Sequence, residues 1–242
     1  MPISKNDSKL INSLRQKKYR QIHQLFVAEG IKVVKELLNS SIEVEKIFVT
    51  PSVEENIYEH QIEISDNELK KISSLKTPNK VIGVFKIPNS KEIIDSTFTI
   101  ALDEINDPGN LGTIIRLCDW FGVKQLVCSS NTVDCYNQKV VQSTMGSITR
   151  VAVIYTDLPS YIERTKLPTF IADMEGTNVY KTTLPEKAVL IMGNEANGIS
   201  EEIRNIVSDK VSIPRFGETQ ETESLNVATA TAILLSEFRR SI

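Results

Sequence analysis

Histidine and cysteine are scarce in this sequence, with two histidines and three cysteines among its 242 residues. The histidines, His23 and His60, lie far apart, and the cysteines lack the paired spacing of metal ligands. We therefore expect no metal centre, and we expect Cys118, Cys128 and Cys135 to be reduced thiols. The shortage of histidine also disfavours a serine–histidine–aspartate arrangement, and with it nucleophilic acyl chemistry.

Long apolar runs are absent, because no stretch approaches the roughly 18 apolar residues that a membrane-spanning helix needs. The first ten residues are polar and lack the apolar segment of a signal peptide, so a cytoplasmic protein is expected. The formal net charge of −3 gives no sign of nucleic-acid binding, and any basic surface must therefore be local.

Glycine-rich phosphate-binding motifs are also missing. The sequence contains neither a P-loop nor a G-x-G-x-x-G segment, which disfavours a nucleotide hydrolase or a dinucleotide-dependent enzyme. Short apolar strands instead alternate with helical patterns, which predicts an α/β architecture. We expect a small α/β domain in residues 1–90, a linker up to residue 97, and a larger α/β domain in residues 98–242.

Basic residues concentrate in residues 8–20, where few acidic residues offset them. A thin apolar stripe in this stretch predicts an amphipathic helix, or a helix followed by a loop. Two interpretations stay open, a solvated helix face and a patch that contacts nucleic-acid phosphates. The basic side chains concerned are Arg15, Lys17, Lys18 and Arg20.

Polar loops follow three of the predicted strands in the larger domain. They comprise residues 106–112, 193–198 and 215–226. Because the carboxyl ends of strands in an open α/β sheet form the ligand crevice, we expect these loops to lie at one edge. Their glycines allow close approach of a ligand to the backbone, and their asparagines and serines can donate and accept hydrogen bonds.

Helices are expected after the first and third of these loops, at residues 113–120 and 227–238. Ser224 is the predicted N-cap of the last helix, because its hydroxyl can accept a hydrogen bond from the first helical turn. Such a strand–loop–helix junction indicates either a ligand pocket or an ordinary capped helix.

Three segments in a fixed order resemble the motifs of a known family. They are NLGTIIR at residues 110–116, MGNEANGI at residues 192–199, and Ile213-Pro214 followed by SLNVA at residues 224–228. Together they resemble the SpoU (TrmH) family of RNA ribose 2′-O-methyltransferases, within the SPOUT superfamily. Residues 1–85, mainly residues 26–38, resemble the ribosomal-protein-like substrate-binding domain that precedes the catalytic domain in many members.

The resemblance implies an S-adenosylmethionine-dependent methyltransferase that works as a homodimer without a metal. It implies a mostly parallel α/β sheet whose C-terminal segment forms a trefoil knot, although knots are nearly absent from proteins in general. The positions assigned to the cofactor are Asp173, Met174, Met192, Gly193, Asn194, Gly198, Ile213, Pro214, Ser224 and Leu225. The positions assigned to catalysis are Asn110, Arg116, Glu195, Ser224 and Asn226. The N-terminal domain is expected to hold RNA.

Two roles are open for Arg116, which the resemblance places next to the ribose 2′-hydroxyl. A guanidinium group has a pKa above roughly 12, so Arg116 is a base only if the site lowers that value strongly. In the role that we favour, Arg116 clamps a phosphate and orients the ribose while another group takes the proton. Asn110 and Asn226 are expected to hold the hydroxyl or Arg116. Glu195, from the same chain or from the partner subunit, is expected to orient Arg116 or its own loop.

The two-domain layout favours ribosomal RNA as the substrate, by resemblance. Two alternatives remain, the same reaction on transfer RNA and a catalytically silent RNA-binding factor in ribosome assembly. Residues 215–223, between Ile213-Pro214 and SLNVA, form a longer stretch than the one at the same place in the family pattern. The acidic residues of this stretch, Glu218, Glu221 and Glu223, are unusual neighbours for RNA. The sequence does not identify the nucleotide, and it does not distinguish free RNA from an assembly intermediate.

Overall fold

The structure is a computed structural model that describes residues 3–53, 56–95, 97–217, 219 and 224–240. The chain divides into two compact units. The first comprises residues 1–89 and 134–149, and the second comprises residues 90–133 and 150–242. Residues 134–149, which were predicted to be part of the larger domain, are grouped with the smaller unit in the structure.

Among its described residues, the part of the first unit before residue 90 contains a four-stranded sheet and four helices. Its elements are α1 (Lys5–Ser13), α2 (Lys17–His23), β1 (Leu25–Glu29), α3 (Ile31–Leu38), β2 (Val44–Val49), β3 (Ile62–Glu63), α4 (Asp66–Ile72) and β4 (Val81–Lys86). The strand order is β1-β4-β2-β3, with β4 antiparallel to both β1 and β2, and β3 parallel to β2.

The basic stretch at residues 8–20 forms two helices rather than one. Leu14 follows α1 and is fully buried, and Gln16 has extended backbone angles that interrupt the helical path before α2. The burial of Leu14 anchors the turn between α1 and α2.

The remaining elements follow in chain order. They are β5 (Thr99–Leu102), α5 (Pro108–Trp120), β6 (Gln125–Ser129), α6 (Gln138–Thr144), β7 (Ala152–Thr156), α7 (Leu158–Arg164), β8 (Thr169–Asn178), β9 (Val189–Met192), α8 (Glu201–Ile206), β10 (Lys210–Ser212) and α9 (Val227–Phe238). Short 3₁₀ turns lie at Ser147–Thr149 and Val179–Lys181. Of these elements, α6 and the first 3₁₀ turn belong to the first unit.

The segment that carries α6 packs into the aromatic core of the first unit. The ring of Phe26 on β1 lies 5.7 Å from that of Phe85 on β4 and 4.8 Å from that of Tyr136, just before α6. Aromatic pairs at such distances add to the stabilisation that burial provides. Residues 134–149 therefore complete the core of this unit.

The second unit is built on a six-stranded sheet with the order β10-β8-β9-β5-β6-β7. Every neighbouring pair is parallel, which confirms the prediction of a mostly parallel α/β sheet. Strands β5 and β9 lie at its centre and are buried along their whole length. Because all six strands run the same way, the loops that follow β5, β9 and β10 leave from one edge, here called the carboxyl edge.

Two helix starts differ from the prediction. Helix α5 begins at Pro108, with the Asp107 carboxylate accepting the backbone N–H of Asn110 at 2.9 Å. Asn110 therefore lies in the first turn of a helix and not in a loop. The prediction that Ser224 caps α9 is wrong, because the cap is Asn226, whose side-chain oxygen accepts the N–H groups of Ala228 and Thr229.

None of the helices in the described part of the chain is both long and apolar enough to cross a membrane. The same part of the chain contains no group of three or more metal-ligating side chains that could hold an ion. The three cysteines are buried, and none of them takes part in a disulfide.

Candidate active site at the carboxyl edge of the parallel sheet

The side chain of Asn110 connects the starts of α5 and α9 with the loop after β9. Its amide nitrogen donates to Glu195 Oε1 at 2.9 Å, and its amide oxygen accepts from Asn226 Nδ2 at 2.9 Å. All three predicted motifs are thus joined by two side-chain hydrogen bonds. The prediction that the motifs come together is confirmed for Asn110, Glu195 and Asn226.

The direction of these hydrogen bonds is set by the cap of α9. The side-chain oxygen of Asn226 is occupied by the N–H groups of Ala228 at 3.0 Å and Thr229 at 3.2 Å. Its amide nitrogen must therefore point away from the helix, and it donates to the oxygen of Asn110. Asn110 is left with its own N–H₂ group facing Glu195, which can only accept when it is ionised.

The carboxylate of Glu195 accepts several hydrogen bonds from the start of α5. Its carboxylate accepts the backbone N–H groups of Asn106 and Asp107, each at 3.2 Å, besides the side chain of Asn110. Partial burial acts to raise the pKa of Glu195, but these hydrogen bonds outweigh it, and the pKa lies below its ordinary value. Glu195 is therefore an ionised organiser of the loops.

The loop after β9 is closed on itself by its own polar groups. Asn194 and Gly198 exchange two backbone hydrogen bonds at 2.8 and 2.9 Å, and the Asn194 side-chain oxygen accepts from Ala196 and Asn197. A side chain at position 193 would collide with the backbone of Gly198. Gly193 and the side chain of Asn194 therefore have structural roles in the loop. A ligand bound at this loop would contact its backbone groups.

Two carboxyl-edge residues of β5 anchor the same loop. Asp103, which is buried, accepts the backbone N–H of Ser200 at 2.7 Å, at the start of α8. The backbone oxygen of Glu104 accepts from Asn194 Nδ2 at 2.6 Å. The sequence analysis missed Asp103, although an acidic residue directly after an apolar strand was a usable signal.

Asp173 and Met174 lie on β8, where its pairing with β10 is irregular. The carboxylate of Asp173 pairs with the guanidinium of Arg204, and it accepts the N–H of Glu175 at 3.0 Å. Burial acts to raise the pKa of Asp173, but these contacts lower it overall. Arg204 also donates to the carbonyl oxygen of Ile199 at 3.2 Å. The carboxylate of Asp173 is therefore committed to fixing the loop after β9 through Arg204, which no sequence pattern indicated.

Arg116 lies on the exposed side of α5, about 9 Å along the helix axis from Asn110. Among the residues that the structure describes, no side chain or backbone group pairs with its guanidinium. Within the same part of the chain, Glu195 holds the start of α5 and not Arg116. The donors of Arg116 are thus available to a substrate.

The remaining predicted cofactor positions lie outside or at the ends of regular elements. Ile213 and Pro214 directly follow β10, and Ser224 and Leu225 directly precede the cap of α9. Met192 is the last residue of β9, where its side chain is buried. The acidic residues Glu218, Glu221 and Glu223 lie outside the described residues.

The predicted RNA-binding residues divide into exposed and buried ones. Lys17 and Lys18 are exposed on α2, and Arg15 is exposed in the turn before it. Arg20 is only 2% exposed, and its guanidinium bonds Asp134 Oδ2 at 2.6 and 2.8 Å and the carbonyl oxygens of Leu14 and Arg15. The assignment of Arg20 to RNA is therefore corrected, because this side chain holds the first unit together.

A parallel α/β sheet whose carboxyl edge gathers amides, a carboxylate and an unengaged arginine is typical of enzymes that bind a ligand at that edge. A model of the SpoU rRNA methylase family matches residues 97–236, and a model of the MRM3-like substrate binding domain matches residues 5–83. The chain belongs to the SpoU rRNA methylase family, which confirms the resemblance that the three motifs indicated.

Named relatives and solved structures agree with this assignment. The chain is 31% identical over 243 residues to the 23S rRNA (guanosine(2553)-2′-O)-methyltransferase RlmP of Bacillus subtilis (strain 168), and the match covers 93% of each protein. A putative RNA methyltransferase of the TrmH family from Porphyromonas gingivalis has a TM-score of 0.88 at 34% identity and covers 100% of both chains. An AdoMet-bound rRNA methyltransferase from Sinorhizobium meliloti has a TM-score of 0.87 at 27% identity, covering 100% of this chain and 97% of the other.

Proposed function

We propose that this protein transfers a methyl group from S-adenosylmethionine to a ribose 2′-hydroxyl of ribosomal RNA. The observation that carries the proposal is the hydrogen-bonded series Asn226–Asn110–Glu195, which joins the three family motifs at the carboxyl edge. The RlmP relative acts on 23S rRNA at a ribose 2′ oxygen, and its similarity extends over 93% of this chain.

The residues at the carboxyl edge fit the cofactor. Ile213, Pro214, Ser224 and Leu225 lie outside the strands and helices, so the sheet ladder and the helices do not use their backbone groups. Met174 on β8 and Leu225 before α9 are 58% and 48% exposed, which leaves two apolar side chains uncovered. Backbone donors and acceptors would hold the polar parts of the cofactor, and these side chains would cover its apolar parts.

When bound, S-adenosylmethionine would supply an electrophilic methyl group for the ribose 2′ oxygen, with S-adenosylhomocysteine as the leaving group and the hydroxyl proton passing to a base. The chain contributes mainly position, because holding the reacting atoms in line removes much of the barrier. Asn226, Asn110 and Glu195 fix the loops relative to one another. The lowered pKa of Glu195 makes its carboxylate a weak base, and its oxygens already accept three hydrogen bonds, so Glu195 acts as an organiser and not as the base that takes the proton.

Arg116 is the residue that orients the RNA in this mechanism. Its guanidinium is exposed and unengaged among the described residues, and a planar fork of donors suits two oxygens of one phosphate. Arg116 would clamp the phosphate next to the target ribose and leave proton removal to another group.

The trefoil knot of the C-terminal segment is part of the proposal. Its support is the tight passage of β10 beside β8, where a side chain at Gly176 would lie 2.7 Å from the backbone of Lys210 and Val211. Thr177 and Ser212 add hydrogen bonds across this passage, to Lys210 O at 2.9 Å and to Gly176 O at 2.8 Å.

A homodimer is also proposed. Trp120, the last residue of α5, is 84% exposed, and α5 packs against α9. A large aromatic side chain left in solvent is typical of an interaction surface. Light scattering should give twice the mass of one 27.1-kDa chain, and a monomer at micromolar concentration would contradict this part of the proposal.

The N-terminal unit would hold the RNA through Arg15, Lys17 and Lys18. Because phosphate contacts release counterions, replacing Lys17 and Lys18 with alanine should weaken RNA binding and lower the slope of log K against log salt by about 2. Binding titrations at several salt concentrations measure this slope. An unchanged slope would indicate that the basic side chains of α2 form a solvated helix face and do not contact RNA.

The test of the reaction uses labelled S-adenosylmethionine and total RNA from a strain that lacks the protein, separated by size. Label in large ribosomal RNA as a 2′-O-methyl nucleotide is expected. Label in transfer RNA would keep the chemistry and change the substrate. No label in any fraction, from folded protein, would favour the silent assembly factor.

A further inference from the structure

The first unit contains a cavity of about 370 Å³ that the methyl-transfer site does not use. Its wall is formed by the turn before α2, the end of β1, the residues after α4 and the helix α6. This volume falls within the roughly 300–1,000 Å³ of typical small-molecule sites. Val27 and Leu75 form the apolar part of this wall.

One side of the cavity carries an arginine with spare donors. Arg15 Nη2 donates to the carbonyl oxygens of Ser73 at 2.9 Å and Ile72 at 3.4 Å, which fixes the guanidinium against the end of α4. Among the described residues, its other two nitrogens have no hydrogen-bond partner. An anchored guanidinium with unused N–H groups is suited to a phosphate.

The wall beneath Arg15 is made rigid by a buried carboxylate. Glu29 is 3% exposed, and its two oxygens accept the Ser73 hydroxyl at 2.5 Å, the Ser74 hydroxyl at 2.7 Å and the Ser74 N–H at 2.8 Å. This network fixes the chain that leaves α4, so the shape of the cavity is preformed.

The opposite side of the cavity belongs to α6 and carries amides and a positive charge. Gln138, Lys139 and Gln142 all line it. The side-chain nitrogen of Gln138 is buried and has no hydrogen-bond partner among the described residues. Because an unpaired buried donor is costly, a rotation of the Gln138 side chain that brings this donor to a ligand in the cavity would supply the hydrogen bond that the protein leaves unmade.

We propose that this cavity holds one unpaired nucleotide of the substrate RNA, with its phosphate at Arg15 and its base against the amides of α6. The inference rests on the proposed function, and residues 5–83 match a substrate binding domain. Proteins recognise RNA sequence mainly through unpaired bases, which offer hydrogen-bonding edges and an apolar face. The cavity offers a cation, amides and an apolar wall for these three parts.

The test measures binding of in-vitro-transcribed, unmodified 23S rRNA separately from methyl transfer. Gln138→Ala removes one donor, and Ser143→Phe fills the cavity from a half-buried position on α6. Each should raise Kd and KM for this RNA about tenfold while leaving kcat and the Kd for S-adenosylmethionine unchanged. Asn67→Ala and Asn67→Phe, at an exposed α4 position outside the cavity, are matched controls that should change RNA affinity less than about twofold.

The two proposals fail in different ways. Wild-type affinity in both cavity variants, with methyl transfer intact, overturns the nucleotide site and leaves the proposed function standing. Loss of RNA affinity in the cavity variants but not in the Asn67 controls supports the site even if the wild-type protein transfers no methyl group. If the variants lose affinity for S-adenosylmethionine as well, the effect is on folding, and the nucleotide site is overturned.

Discussion

Replacement of Arg116 by alanine should separate catalysis from cofactor binding and from stability. The side chain is exposed on α5 and pairs with nothing among the described residues, so its removal breaks no contact within the described chain. Exposed substitutions of this kind change the free energy of unfolding by less than about 0.5 kcal/mol, and alanine is an even better helix former than arginine.

We expect Arg116→Ala to lose stabilisation of the transition state and to keep the binding of the cofactor. If Arg116 orients the ribose and its phosphate, its removal should lower kcat/KM for RNA by about 10²–10³, or roughly 2.7–4 kcal/mol, as for other positioned donors. Arg116→Lys should recover only part of the rate, because an ammonium keeps the charge but lacks the planar fork.

Transfer of labelled methyl groups measures the rate, calorimetry measures the Kd for S-adenosylmethionine, and thermal unfolding measures stability. Lys124→Ala is a matched control, because Lys124 is an exposed cation that directly precedes β6, at the opposite edge of the sheet. A rate within about threefold of wild type in Arg116→Ala would refute the reasoning. A parallel loss of cofactor affinity would place Arg116 in the cofactor site instead.

Three further substitutions test the hydrogen-bonded site and the corrected residue. Glu195→Gln must lose at least one acceptor and should lower kcat/KM about tenfold, the equivalent of about 1.4 kcal/mol. Because the pKa of Glu195 is lowered on folding, its ionised form stabilises the protein above its unfolded pKa of about 4.3, and this is lost as pH falls through the folded value. Denaturant titrations below pH 5 should therefore show a weaker pH dependence in Glu195→Gln, and an unchanged dependence would contradict this role. Arg20→Ala should cost about 3–5 kcal/mol in unfolding free energy because it strands Asp134, whereas Lys17→Ala should cost less than about 0.5 kcal/mol. Asn226→Asp keeps a cap acceptor but removes the donor to Asn110, so thermal stability should persist while the methyl-transfer rate falls.

The architecture of the larger domain could be predicted because its signals are local. Short apolar strands alternating with helical patterns indicate parallel pairing, and parallel strands put their carboxyl ends at one edge. The meeting of Asn110, Glu195 and Asn226 followed from that geometry together with the family motifs.

Errors arose where a residue's role depends on a distant partner. Arg20 belongs to a basic run by sequence, but Asp134, more than a hundred residues later, draws it into the core. Two other long-range contacts contradict no prediction but were equally invisible in the sequence: the ion pair of Asp173 with Arg204 and the packing of Tyr136 against Phe26. Periodicity and composition carry no record of such pairs.

Local competition explains the two helix starts that were predicted incorrectly. Ser224 and Asn226 are both good caps, and the sequence alone does not decide between them. The structure selects Asn226, since that residue can cap α9 and donate to Asn110 at once, which a serine hydroxyl two residues earlier is not positioned to do. At the other helix, Asp107 with Pro108 starts α5 earlier than its apolar pattern suggested, because proline is favoured at the first helical position.

Helix caps at this site therefore have two functions. Asp107 holds the N–H of Asn110 and Asn226 holds the first turn of α9, so the same interactions that begin the two helices also aim the two amides at each other. The order of the site is then largely a consequence of folding, and Glu195 completes it by accepting the remaining amide hydrogen bond of Asn110. It follows that substitutions at Asp107 should lower stability and activity together, whereas changes that preserve the cap oxygen at position 226 should affect activity alone.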